Sequence, residues 1–171
     1  MNMRHPAFSR APAFTMVEVL FAASILVLAV SAILHAISAG QMQTYEAVLE
    51  FRAQLLAEAM VDEVLSYPYL DPGGDTTEGP DAGESGRGTF DAADDFHGFR
   101  EDPDEVADAD GVLYPTAFQG FTRVVSALYG DQTVTTQAGS FLSHGLIVNV
   151  TVTDSRGLSW TITHFEPEAV P

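Results

Sequence analysis

Hydrophobic and polar positions follow three different rhythms along the chain. Positions 19–39 are almost wholly Ala, Val, Ile, Leu and Phe, interrupted only by Ser24, Ser31, His35 and Ser38, and no Asp, Glu, Lys or Arg occurs between positions 19 and 45. An unbroken apolar run of this length predicts a helix that is apolar all round, and a bilayer core needs roughly 20 such residues. Beyond Gly40 the run becomes a stripe. Val48, Leu49, Leu55, Leu56, Met60 and Val64 recur at helical spacing, while Glu46, Glu50, Gln54, Glu58 and Asp62 step by four along another face. That is an amphipathic helix with a solvated acidic side. Tyr67-Pro68 makes continuation unfavourable. One helix from about residue 14 to about residue 66 would span about 80 Å.

Towards the C-terminus the period drops to two. Residues 121–129 form a strand candidate. Leu146, Val148, Val150 and Val152 alternate with Ile147, Asn149, Thr151 and Thr153, and Leu158, Trp160 and Ile162 alternate with Ser159, Thr161 and Thr163. The four residues Asp154-Ser155-Arg156-Gly157 join the last two runs into a β-hairpin. One face is apolar and suited to cover a helix; the other is Thr-rich and wet. Trp160 belongs to the core. Asn149-Val150-Thr151 matches a glycosylation sequon, a short match inside a strand. The order of elements predicts an α+β fold: a long N-terminal helix packed on a small antiparallel sheet over about residues 118–166.

Between helix and sheet the pattern dissolves. Residues 71–110 hold 14 Asp or Glu against Arg87 and Arg100, with many Gly and with Pro72, Pro80 and Pro103. Regular structure is not expected over most of this span.

Charge sharpens the picture. The formal net charge is -17, from 24 acids and seven Arg with no Lys. Arg4 and Arg10 precede position 14, and every acid follows it. So acidic a surface repels phosphate backbones, which argues against nucleic-acid partners. The absence of cysteine excludes disulfides, thiolate catalysis and cysteine metal sites. No spacing of a nucleophile with a base, nor of paired His ligands, points to an enzyme.

The N-terminal run admits three interpretations. A secretory signal peptide has an apolar region of about 7–15 residues; this run is longer, although Ala39-Gly40 mimics a cleavage site. A plain membrane anchor fits the hydropathy, and positive charge before the run puts the N-terminus in the cytoplasm. It leaves Glu18 unexplained, since a carboxylate at a helix centre costs about 2.5–3.5 kcal/mol on insertion scales and less towards the end. The third interpretation gives Glu18 a partner. The stretch Ala13-Phe14-Thr15-Met16-Val17-Glu18-Val19-Leu20 resembles the type IV prepilin motif. That resemblance implies a leader of residues 1–13, removed on the cytoplasmic side by a prepilin peptidase that cuts between Ala13 and Phe14, followed by N-methylation of Phe14. It further implies that Glu18 neutralises the Phe14 amine of a neighbouring subunit in a filament. The family usually has Gly where Ala13 stands; Ala is also small.

A second similarity follows the helix. The segment Gly83-Glu84-Ser85-Gly86-Arg87-Gly88-Thr89-Phe90-Asp91-Ala92-Ala93-Asp94-Asp95-Phe96-His97-Gly98, with Tyr67-Pro68-Tyr69-Leu70-Asp71-Pro72 before it, is similar to minor pilins of the MSHA (mannose-sensitive haemagglutinin) type. Chemically, Glu84, Asp91, Asp94 and Asp95 are candidate ligands for Ca²⁺, which takes 6–8 oxygens. The competing expectation is a loop pinned by Arg87–Asp salt bridges, with Phe90 and Phe96 tucked into the core. Asp108-Ala109-Asp110-Gly111 has part of a calcium-loop pattern but lacks its downstream Glu.

These expectations divide the chain into a leader (1–13), a transmembrane or filament-core helix (14–39) and an extracytoplasmic domain (40–171). The resemblance implies a minor pilin or pseudopilin of a type IV pilus or type II secretion-like filament. Its partners would be other pilin subunits, the prepilin peptidase/methyltransferase, an inner-membrane assembly platform and membrane lipid. No cofactor is expected unless the acidic segment holds Ca²⁺. The alternative is a membrane-anchored binding module with a Ca²⁺-holding loop.

Overall fold

The computed structural model describes residues 15–74, 77–137 and 139–168. The architecture is α+β: helix α1 (Met16–Val64), then strands β1 (Arg100–Glu101), β2 (Phe121–Thr136), β3 (Gly139–Asp154) and β4 (Ser159–Pro167). The strands form one antiparallel sheet in the order β1-β2-β3-β4. The chain divides into two units, Met1–Tyr45 and Glu46–Pro171.

In the first unit every described residue is exposed. α1 contains one window of mean hydropathy 2.5 near the N-terminus, long and apolar enough to cross a membrane.

The second unit has a conventional core. Ala53, Leu56, Ala57, Met60, Val61 and Val64 of α1 pack with Phe121, Val125 and Ala127 of β2 and Leu146, Val148, Val150 and Val152 of β3. The alternation in β3 therefore points inward as expected, and residues 46, 50, 54, 58 and 62 form the solvated face. Val48 and Leu55, assigned to the apolar stripe by spacing, are instead exposed, and the small residues Ala53 and Ala57 take the contact. The buried stripe therefore runs through positions 53, 56, 57, 60, 61 and 64, turned away from Val48 and Leu55.

Trp160 and Ile162 pack against the core but stay partly accessible. Leu158 falls in the turn, outside β4, and is exposed. The turn itself is built as its sequence suggests. The Asp154 carboxylate accepts N–H bonds from Arg156 and Leu158 at 2.9 and 3.0 Å, and Gly157 supplies the left-handed conformation at φ 85°. On the outer face Thr151 meets Thr161 at 2.9 Å, Thr153 meets Ser159 at 2.8 Å, and Thr163 donates to Asn149 at 2.6 Å.

β2 and β3 run well past the expected strand ends, in register to Thr136↔Gly139. The extension is polar and Gly-bearing, so no alternation announces it. It pairs because the register set further along the hairpin carries it.

Candidate functional site

Two places carry the chemistry that the sequence singles out. The first is the start of α1. Ala13 and Phe14 lie outside the described residues. Glu18 sits in the first turn and is exposed. Its N–H is 3.3 Å from Thr15 Oγ1, and the Val19 N–H donates to the Thr15 carbonyl at 3.2 Å. Thr15 thus caps the helix, with Glu18 at the position where capping-box acids occur. Carboxylates are favoured there by the unpaired N–H groups and the positive end of the helix dipole. Within a single chain this is the local compensation for its charge.

The second place is the acidic segment, which is pinned rather than loose. Phe90, Phe96 and Phe99 stack edge-on with centroids 5.0–6.0 Å apart, and Tyr67 meets Phe96 at 5.0 Å. Phe90 and Phe96 are buried, as expected. Among the described residues the expected Arg87–Asp bridges do not form. Arg87 instead pairs with Glu63 of α1 and, at 3.2 Å, with Glu101 of β1. Glu101 also accepts from Arg123 Nε at 2.6 Å. Arg123, 1% exposed, completes its donors on the Leu56 and Ala107 carbonyls at 3.1 and 2.8 Å. Two arginines and two glutamates so join helix, acidic segment, β1 and β2. The Asp95 carboxylate is held instead by nearby backbone N–H groups and that of Asp94 by Tyr129.

This network escaped the sequence analysis, yet one signal was present. Arg123 occupies an inward position of β2, in phase with the buried Phe121 and Val125. A cation there requires a buried partner.

Of the four candidate Ca²⁺ ligands the structure gathers three. Glu84, Asp91 and Asp95 each place a carboxylate oxygen within 4.8 Å of the others. Asp94 is set apart: its carboxylate, at 3.2 Å, shares the single Tyr129 hydroxyl proton with the Tyr69 carbonyl at 2.6 Å. Consecutive residues in a tight turn, Asp94–Phe96, point in different directions, so Asp94 and Asp95 do not share a ligand. Asp95 is 2% exposed, and its Oδ2 accepts the N–H groups of Asp91 and Ala92 at 2.9 and 2.8 Å. Glu84 accepts the Asp81 N–H at 3.0 Å.

The electrostatics follow from this crowding. The Asp81 N–H favours the charged form of Glu84, but burial and the charges of Asp95 and Asp91 outweigh it and push the carboxyl up. Desolvation, then Asp71 and Asp95, raises Asp91 as well. Burial and Asp94 push the Tyr129 phenol up.

A carboxyl raised on folding binds protons more tightly in the folded state. Stability then falls as pH rises from the ordinary carboxylate range through the raised value, and it stays reduced above that. Glu84→Gln keeps the acceptor for Asp81 and removes the charge. In chelator it should raise the melting temperature at pH 7 and leave it unchanged at pH 3. A variant that melts lower at pH 7 would show that the cluster is not repulsive.

No family model, curated protein or solved structure matches this chain.

Proposed function

We propose that the chain is a structural subunit, a minor pilin or pseudopilin, of a type IV pilus or type II secretion-like filament. It is made as a precursor, cut between Ala13 and Phe14 and methylated at Phe14. It waits in the inner membrane with its N-terminus cytoplasmic and the domain outside. It then enters the filament through α1, with other pilin subunits and the assembly platform as partners. It has no catalytic role of its own.

The observation that carries this reading is the surface of α1. Up to Tyr45 its apolar side chains, among them Leu20, Phe21, Ile25, Leu28, Ile33 and Leu34, are all exposed, while Glu18 stands in the first turn. Each large apolar side chain left in water forgoes about 1.5–3 kcal/mol. Such a helix needs lipid first and other helices later. The charge pattern of the leader and the motif around Phe14 favour a filament subunit over a plain anchor.

The test is maturation. Ala13→Leu should block cleavage, because the scissile site must admit a small side chain. Intact mass should show wild type as a methylated chain starting at Phe14 and the variant as the full precursor. A normally matured variant would refute the assignment of the cut.

A second reading, a membrane-anchored module with a calcium-holding loop, rests on the convergence of Glu84, Asp91 and Asp95. A cation would relieve the repulsion that raises Glu84. If Ca²⁺ binds only the folded chain, it should stabilise it by about 2.7 kcal/mol at one hundred times its dissociation constant. Melts of the full chain in detergent, in calcium and then in chelator, decide this. Equal melts remove the calcium reading.

A further inference from the structure

β4 is an edge strand, held in register by β3 on one side. One bond fixes which of its backbone groups face outward. The Glu168 N–H donates to the His144 carbonyl at 3.0 Å. Antiparallel pairs alternate between bonded and unbonded, so the bonded pairs of this ladder are Leu146↔Glu166, Val148↔His164, Val150↔Ile162 and Val152↔Trp160. Ser159, Thr161, Thr163 and Phe165 therefore turn their N–H and C=O groups away from β3. Pro167 falls in the same phase, so its missing N–H leaves the ladder intact. Among the described residues no strand covers this edge.

Free edges are usually blunted by short length, charges such as Lys, Pro or a bulge, and here Pro167 blunts only the last outward position. β4 has nine residues, no Lys and unbroken register. Where it begins, it borders a cavity of about 420 Å³ lined by Glu46, Glu50, Arg156, Leu158, Ser159 and Trp160. Glu46 and Glu50 come from successive turns of α1. Arg156 Nη1 is 4.0 Å from Glu46, and its Nε is given to Asp154 at 2.8 Å. Arg156 thus stands beside Asp154 and Glu46, and Glu50 lines the same cavity, in a chain whose net charge is -17.

We infer that the outer edge of β4 receives an extended, basic segment of another protein as a fifth strand, with a Lys or Arg of that segment entering the cavity beside Glu46 and Glu50. Main-chain bonds to the outward groups of Thr161, Thr163 and Phe165 supply affinity, and the carboxylates supply selection. A second copy of this chain is the wrong occupant, because it brings the same large negative charge. The inference stands on the second unit alone and does not depend on the filament reading.

The experiment uses the full chain in detergent and two soluble peptides, Lys-Thr-Val-Thr-Val-Thr-Val-Lys and the same peptide with Glu at both ends. The Lys peptide should bind at least about tenfold more tightly, with the gap closing near 1 M salt, where screening is nearly complete. It should slow hydrogen exchange at Thr161, Thr163 and Phe165. Glu50→Gln should narrow the gap. Thr163→Pro removes an outward donor that the inner ladder does not use, so it should abolish binding while the β3 amides stay protected. A Lys peptide N-methylated on alternate amides should fail on the unaltered protein, which decides the matter if Thr163→Pro disturbs β4. Absent binding, equal affinity for the two peptides, protection elsewhere, or normal binding of the methylated peptide would each overturn the inference.

Discussion

Arg123→Ala is expected to cost the domain about 3–5 kcal/mol, the usual penalty for stripping one partner from a buried ion pair. Arg123 is 1% exposed and Glu101 6%, so the pair is not screened by bulk water. The variant leaves Glu101 with Arg87 at 3.2 Å and the Ala107 N–H at 3.2 Å, and it strips the Leu56 carbonyl of its second donor, the first being its own helix. For a domain of this size the melting temperature should fall by roughly 10–20 °C. The companion test is Arg123→Met with Glu101→Gln, which refills the volume and discharges the acid together. It should recover more than half of the loss, because breaking a buried pair costs more than replacing it. A single variant melting within about 2 °C of wild type, the range of neutral surface changes, would show that the network does not hold the acidic segment to the sheet.

Glu18→Val is expected to insert in the membrane as well as wild type does, and to drop at least about tenfold in sheared filaments. The variant removes the one carboxylate beside the apolar run, so insertion can only become easier. Assembly should fail for a different reason. If Glu18 neutralises the Phe14 amine of an adjacent subunit, the variant leaves an ammonium unpaired in an apolar interface. That penalty is several kcal/mol, and each 1.4 kcal/mol is tenfold in occupancy. Glu18 also lies in the capped first turn of α1, so charge must be separated from helix initiation. Glu18→Gln makes that separation: it keeps the side-chain length and a hydrogen-bonding group and loses the charge. Gln behaving like Val supports the charge pair. Gln assembling normally would sink it and leave Glu18 as a helix-start residue.

The helix, the inward face of β3 and the β3–β4 turn were all legible as pattern, because each follows from local chemistry. An apolar run makes a spanning-length helix, alternation makes a half-buried strand, and Asp154 with Gly157 makes a turn. Val48 and Leu55 were misplaced because spacing gives a periodicity but not which side of the stripe meets the sheet.

What the sequence determined by itself is the architecture: a long apolar-then-amphipathic helix, an acidic segment of little regular structure, and an antiparallel sheet. It also marked Glu18 as an unusual charge. Only the tertiary structure decided where the long-range charges go. Arg87 reaches Glu63, 24 residues back, and Arg123 reaches Glu101, 22 residues back. It also separated Asp94 from Asp95 and turned the outer edge of β4 to solvent. Residues far apart in the chain meet only after the helix and sheet have packed, and periodicity, which reports burial along one element, carries no record of which partner lies across the core.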